Sequence, residues 1–383
     1  MGVHVPASQG YPSAFGKLGN PESMLVKSLL EIRGSRMDSA LRNIDALLQI
    51  NPNFKLAQLI KGDLLLARSQ PLATIGNAPG VPQQRFDDLR DEARARLHGY
   101  LEQPASDKVP KYLLQMTPAQ KYAIVVDTTK SRLYLYQNNN GEPRFVADYY
   151  ISSGKSGAEK EKEGDQKTPT GVYFVVSSLA KNQLTDFYGP GAFPISYPNE
   201  WDKRLGREGH GIWLHGTPSD TYSRPPKASN GCVVLTNPDM EAVSKTLQVG
   251  LTPVVISEKV DWVDHKELQA ERASFTNQLD NWRSDWESRN TAKYLSHYSK
   301  KFSGGGQNFV AFSNQKRQVN TGKVWIKVKL SNVSIFNYPG QSNMTVVTFD
   351  QDYRSNNLGN QMRKRQYWVR EDKNWKIVYE GAV

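Results

Sequence analysis

Apolar positions in residues 21–70 recur at helical spacing. Leu25, Val26, Leu29, Leu30 and Ile32 form one stripe, broken at Gly34-Ser35. Ala40, Leu41, Ile44, Leu47 and Leu48 form a second, ended by Asn51-Pro52, and Leu56, Leu59, Ile60, Leu64 and Leu65 form a third. Leu29-Leu30-Glu31-Ile32-Arg33 aligns with Leu64-Leu65-Leu66-Ala67-Arg68 at an offset of 35 residues, close to a tetratricopeptide period. About one and a half repeats fit, too few for a solenoid, so the segment reads as a packed helical arm. Residues 71–82 are a Gly/Pro/Ala linker. A charged helix follows over about 84–101, whose alternating Asp, Arg and Glu predict solvated, salt-bridged faces.

The pattern changes to period two at Lys121. Tyr122–Asp127 and Arg132–Tyr136 read as strands, with a hairpin turn at Asn138–Gly141. Phe145–Ser152, Gly171–Val176, Gly211–Leu214 and Val254–Ile256 continue a mostly β region, with one helix at Glu241–Leu247. The polar stretch Gly154–Lys167 between them reads as a mobile loop. Beyond Ser257 a long amphipathic helix (264–288) and a short one (291–298) are predicted, then a Gly304–Gly306 joint. Strands follow near 324–330, 333–338, 344–350, 361–371 and 375–379. Helices followed by antiparallel strands predict an α+β fold with a curved sheet. Leu279–Asn290 together with Tyr294–Tyr298 resembles the opening of a nuclear-transport-factor-like domain, which implies a cone-shaped accessory module that binds or dimerises.

The expected organisation is therefore multidomain: a flexible N-terminus (1–20), a helical region (21–118), a central mostly-β domain (119–257) and a C-terminal α+β domain (258–383). No apolar run approaches the roughly 20 residues that cross a bilayer. Met1–Asn20 is rich in Gly, Pro and Ser and lacks a charged-then-apolar leader; it reads as a mature or trimmed N-terminus, which argues little against export. The net charge of +11 suits an anionic partner or simply solubility. No basic block interleaved with stacking aromatics and no groove-reading motif accompanies it, so nucleic acid is not an expected partner.

The single cysteine excludes an intramolecular disulfide and a cysteine-rich zinc site. His210 and His215 lack further ligands at zinc spacing, so no metal or other cofactor is expected. The informative segment is His215-Gly216-Thr217-Pro218 followed by Ser229-Asn230-Gly231-Cys232. Acyl transfer requires a nucleophile, a base and donors for the oxyanion. Cys232 can supply the first. His215, at the end of an apolar strand, can supply the second. Gly231 lets the backbone approach closely, so that nearby amides can face a substrate oxygen. No carboxylate is placed to fix the His215 tautomer, which leaves a backbone carbonyl for that task.

His-Gly-Thr followed by Ser-x-Gly-Cys-Val resembles the signature of the L,D-transpeptidase catalytic (YkuD) family, and Thr168-Pro169-Thr170-Gly171 resembles its upstream turn. The resemblance spans about Lys121–Ser257. It implies a β-rich sandwich-like fold with Cys232 as nucleophile and His215 as base. It further implies that the Gly216 carbonyl orients His215, that amides around Gly231 and Cys232 form the oxyanion hole, and that Ser229 supports the loop. Two positions depart from the family. Val234 stands where an Arg is usual, and Asn230 stands where a His is common. Loss of that guanidinium removes a bidentate carboxylate anchor and puts efficient transpeptidation in doubt, while thioester formation is left intact.

Arg224 and Lys227 are candidates to compensate, or are solvated loop cations. Tyr188, Trp213 and Tyr222 are candidates to line the cleft, with packing the alternative for Trp213. The segment Gly189–Asn199, with the Arg-less motif and the two-domain order, resembles a branch of cell-shape carboxypeptidases. The resemblance implies a periplasmic enzyme whose partner is the peptidoglycan stem, with protein partners at the N-terminal helices or the C-terminal domain. Cys232 would attack the L-centre carbonyl of the tetrapeptide's third residue and expel D-alanine. An amine acceptor then gives transpeptidation, the first reading, and water gives L,D-carboxypeptidase trimming, its alternative. An amidase releasing wall-linked protein and a non-catalytic wall-binding scaffold are the remaining readings.

Overall fold

The computed structural model describes residues 20–71, 74–76, 86–341 and 343–383. The expectations for residues 1–19, for most of the 71–82 linker and for the start of the charged helix lie outside the described residues. The chain divides into two compact units: residues 1–106, 122–137 and 145–260 form one, and residues 107–121, 138–144 and 261–383 the other.

The first unit opens with α1 (Pro21–Arg33), α2 (Met37–Ile50) and α3 (Lys55–Leu66), followed by α4 (Asp87–Leu101). Asn20 caps α1 by accepting from the Glu22 amide at 2.9 Å. The three predicted stripes converge, with Leu25, Ala40, Ile44, Leu47, Phe54, Leu56 and Ile60 fully buried in one core. The charged helix departs from expectation. Glu92 and Arg96 of α4 are buried, 1% exposed each, because they neutralise each other at 2.9 Å and Glu22 lies 3.4 Å from Arg96.

After α4 come β1 (Lys108–Pro110) and β2 (Leu113–Gln115), both of the second unit, and then the strands of the β domain. These are β3 (Tyr122–Asp127), β4 (Arg132–Asn139), β5 (Glu142–Tyr150), β6 (Ser153–Gly154), β7 (Gly171–Phe174), β8 (Leu179–Ala180) and β9 (Gly191–Pro194). A short α5 (Glu200–Arg204) precedes β10 (Trp213–His215), β11 (Lys227–Ser229) and β12 (Val233–Val234); α6 (Asn237–Ser244) and β13 (Pro253–Ser257) complete the set. One sheet runs β5-β4-β3-β13-β7 and another β12-β10-β9-β8, with β11 and β6 as a separate pair. Ile124, Val126, Leu214, Val233, Val254 and Ile256 share one core, and β3 and β13 read as continuous apolar runs because they are covered on both faces.

Arg132 of β4 carries the arm's charge into this domain. It pairs with Glu22 of α1 at 2.7 Å and with Asp148 of β5, and all three side chains are buried. The guanidinium of Arg96 lies 3.8 Å from the centre of the Tyr150 ring. The 154–167 segment, expected to be mobile, is tied together by one carboxylate. Asp165 accepts from the amides of Glu161 (2.8 Å), Lys162 (3.0 Å) and Lys167 (3.1 Å), and from Lys160 Nζ at 2.7 Å. Despite partial burial, these donors hold the Asp165 carboxyl well below the usual carboxylate range.

The second unit adds β14 (Trp262–Asp264), α7 (His265–Glu287), α8 (Thr291–Ser296), β15 (Tyr298–Gly304), β16 (Gln307–Asn308), α9 (Phe309–Thr321), β17 (Ile326–Asn337), β18 (Met344–Ser355), β19 (Leu358–Glu371) and β20 (Asn374–Ala382). Its main sheet runs β16-β15-β20-β19-β18-β17-β2. Phe275, Leu279, Trp282 and Trp286 of α7 cover it. The two strands expected at 324–330 and 333–338 are one, β17, with a shift of register between Ser331 and Ser334 and Asn332 at φ 49°. The Gly304–Gly306 joint is the turn between β15 and β16, and α9 has no counterpart in the sequence prediction, since only Phe312 and Ser313 of it are buried. Inside, Glu380 binds Lys364 (2.6 Å), Gln366 (2.6 Å) and Tyr298 (3.2 Å), a buried charge whose donors are all supplied by its own domain.

Candidate active site

The central pair of strands sets the site. β10 runs parallel to β12 with Leu214 opposite Val233 and His215 opposite Val234. Leu214 and Val233 point into the core and are fully buried. Side chains alternate along a strand, so Trp213, His215 and Cys232 lie on the other face, on strands whose usual spacing is about 4.8 Å.

His215 is 1% exposed, and its Nδ1 lies 2.7 Å from the Gly216 carbonyl. A carbonyl only accepts, so Nδ1 carries the proton and Nε2 keeps its lone pair. Burial pushes the imidazole pKa down to about 4, against the pull of the Gly216 carbonyl and aided by the charge of Arg224. At neutral pH the ring is an uncharged base. Cys232 is half-buried, and its thiol donates to the Gly211 carbonyl at 3.3 Å. Burial raises the thiol pKa, while the Trp213 amide and the charges of Arg224 and Lys160 oppose that rise.

The cysteine loop is fixed on both sides. Ser229 Oγ donates to the Cys232 carbonyl (2.6 Å) and accepts from the Gly231 amide (3.1 Å). Thr168 Oγ1 donates to the Gly231 carbonyl (3.0 Å) and accepts from the Gly154 amide (2.9 Å). Gly231 has φ 125°, and a Cβ there would stand 2.7 Å from the Lys167 carbonyl. The Gly231 N–H is thus committed to Ser229 and not to a ligand.

Aromatic rings wall the imidazole. Tyr188 meets His215 edge-on at 5.1 Å between centroids and packs on Trp213 at 4.9 Å, while Phe187 sits 5.9 Å from His215. The Arg224 guanidinium lies 4.5 Å over the Phe187 ring. Its loop is held from below. Tyr150 OH donates to the Arg224 carbonyl (2.9 Å), Ser223 Oγ donates to Glu92 of α4 (2.6 Å), and Tyr222 packs on Phe54 at 4.4 Å. Tyr222, a candidate cleft residue, belongs to the helical core instead.

Residues 121–256 match the L,D-transpeptidase catalytic domain (YkuD) family. The chain carries a YkuD domain. Residues 274–381 match the Cds6 C-terminal NTF2-like domain. The chain is 28% identical to Bd1075 of Bdellovibrio bacteriovorus, over 72% of this chain and 98% of that one, with a TM-score of 0.64. It is likewise 28% identical to the helical cell shape determining protein Pgp2 of Campylobacter jejuni, over 71% of this chain and 95% of that one, with a TM-score of 0.60. No curated protein sequence matches the chain.

Within the YkuD domain, the sequence-predicted residues Cys232, His215, Gly216, Gly231 and Ser229 are brought together with Trp213, Tyr188 and Arg224. Asn230 is exposed at the loop tip, and Lys227 is exposed on β11. Val234 is buried beside His215 in the β10–β12 pairing, an apolar side chain where the family's usual Arg would stand. Sequence reasoning missed Phe187 and Lys160. The first has no motif around it, and the second is a buried lysine recognisable only through its Asp165 partner.

Proposed function

We propose that this protein is an L,D-carboxypeptidase of the periplasm that trims peptidoglycan tetrapeptide stems to tripeptides and thereby influences cell shape. The observation that carries the reading is a neutral His215 on β10, its Nδ1 proton fixed by Gly216, paired with β12, the strand that directly follows the half-buried Cys232. The cell-wall setting is supported by the YkuD domain, and the role in shape by similarity over 71% of this chain to Pgp2, a helical cell shape determining protein.

The Cys232 thiol turns from the Gly211 carbonyl and gives its proton to His215 Nε2 as Sγ attacks the carbonyl carbon of the stem's third residue. The Cys232 amide receives the oxyanion, since the Gly231 amide is occupied. Collapse breaks the C–N bond, and the imidazolium returns its proton to the departing D-alanine nitrogen. Water then attacks the thioester, giving its proton to Nε2. As the C–S bond breaks, that proton passes to the sulfur. Arg224, half-buried and electrostatically coupled to Cys232, binds a stem carboxylate in place of the Arg that Val234 replaces.

Hydrolysis is preferred over cross-linking because Arg224 holds the donor stem while the apolar Val234 leaves no second carboxylate anchor for an acceptor stem, which therefore loses to water. Purified protein incubated with disaccharide tetrapeptide tests this by mass spectrometry of products. Disaccharide tripeptide with free D-alanine is expected, with neither formed by Cys232→Ala. A predominance of 3–3 cross-linked dimer would instead make the protein a transpeptidase, the second reading left by the family match. No product and no thioester would end the catalytic reading.

A further inference from the structure

One peptide plane in the site is gripped from both ends. Its carbonyl, Gly216 O, accepts the His215 Nδ1 proton at 2.7 Å, and its N–H, Thr217 N, donates to Asn237 Oδ1 at 2.8 Å. Facing an N–H donor, the Asn237 amide must present its oxygen, which fixes which way it is turned. The chain is built around that oxygen. A Cβ at Gly216 or at Gly189 would collide with Asn237 Oδ1, so both glycines make room for it. Asn237 is itself anchored as the first residue of α6, directly after the Thr236 cap, and the Leu235 amide binds the His215 carbonyl at 2.9 Å. The Gly216 amide is held by the Tyr188 carbonyl at 3.0 Å.

We infer that Asn237 is a positioning residue for the general base, acting on His215 through the Gly216–Thr217 peptide. Hydrogen bonds in series polarise one another. An oxygen accepting from the peptide N–H makes the peptide carbonyl a stronger acceptor, which secures the Nδ1–H tautomer and leaves Nε2 free to take the thiol proton. The series Asn237 Oδ1, Thr217 N–H, Gly216 C=O, His215 Nδ1–H places an amide side chain one peptide bond behind the imidazole. In papain-like cysteine proteases a side-chain acceptor touches the imidazole directly. Here the backbone stands between. The inference rests on the catalytic reading above for its kinetic consequence, whereas its structural core does not require turnover.

The test uses the full chain with Asn237→Leu, which removes the oxygen at similar volume, and Asn237→Asp, which keeps it and adds charge. Nitrogen-15 NMR of the histidine ring reads the tautomer directly. The wild-type protein should show a protonated Nδ1 and a bare Nε2. Asn237→Leu should lose that single-tautomer signature and lower kcat roughly 10-fold or more, with KM little changed. Asn237→Asp should keep the signature, retain most of kcat and shift the acid limb of the rate profile to higher pH, because a carboxylate behind the peptide stabilises imidazolium. Thermal melting of both variants separates these effects from unfolding. If Asn237→Leu fails to fold, Asn237→Asp alone decides through its pH shift. An unmoved ring signature and wild-type kcat in Asn237→Leu, or an unmoved acid limb in Asn237→Asp, overturns the inference. An inactive wild-type protein that still shows the Asn237-dependent ring signature would overturn the catalytic reading and leave this one standing.

Discussion

Ser223 Oγ donates to the buried carboxylate of Glu92 at 2.6 Å, joining the residue beside Arg224 to helix α4. Glu92 also holds Arg96 at 2.9 Å, and both are buried. Burial raises the Glu92 pKa, with Arg96 and Ser223 opposing the rise. The loop that carries a site cation is therefore seated on the arm's internal ion pair.

Removing the Glu92 side chain should be costly, because Arg96 would keep its charge in a buried position with Glu22 as a more distant partner. Glu92→Ala is expected to destabilise the protein by about 3–5 kcal/mol. Ser223→Ala, which loses one hydrogen bond to a charged group, should cost about 1.5–3 kcal/mol. Urea unfolding at neutral pH checks the order of the two.

The depressed His215 pKa sets the acid side of the pH profile. The base is unprotonated above about 4, so kcat/KM should fall on acidification with a midpoint near 4 and not near the ordinary 6.5. Stability carries the same sign. From about pH 6.5 down to about 4 the unfolded chain takes up a proton that the folded one refuses, so His215 makes unfolding easier as pH falls through that window. Urea melts of wild type and His215→Gln across it should converge at low pH.

Arg224→Ala should raise KM for the tetrapeptide about 10-fold, the value of one lost charge-assisted contact. Arg224→Lys should recover only part of that, since an ammonium lacks the planar fork. Lys227→Ala, at an exposed position on β11, should behave like wild type. Steady-state kinetics on the three variants decides between a substrate anchor and solvated cations.

Gly231→Ala should disable the cysteine loop. Its φ of 125° strains any L side chain, and the new Cβ would press on the Lys167 carbonyl at 2.7 Å. About a 100-fold loss of kcat is expected from the displaced sulfur, together with an altered rate of Cys232 alkylation by iodoacetamide. Thr168→Ala, which frees the Gly231 carbonyl and the Gly154 amide without a backbone clash, should do less.

The legible parts of the chain were those whose determinants sit close together in sequence. Ser229 through Cys232 and His215 through Thr217 are short runs in which neighbouring residues serve one another, so the motif and the local hydrogen bonding coincide. The three apolar stripes of α1, α2 and α3 likewise carry their own periodicity. Other features depend on partners far along the chain. Asn237 matters through a peptide 20 residues upstream, and the Glu92–Arg96 pair looks solvent-facing until Glu22 and Arg132 close over it. Helix α9 escaped notice because it buries so little of itself, and β17 read as two strands because its register slips at a polar segment.

The junction of Glu22, Arg132 and Asp148 has a practical corollary for anyone cutting this chain into pieces. A fragment beginning at the first strand of the YkuD match would take Glu22 away from Arg132 and would strip Tyr150 of the cation stacked on it. The floor beneath Arg224 would go with the discarded helices. Excising the YkuD match alone would yield a differently supported site.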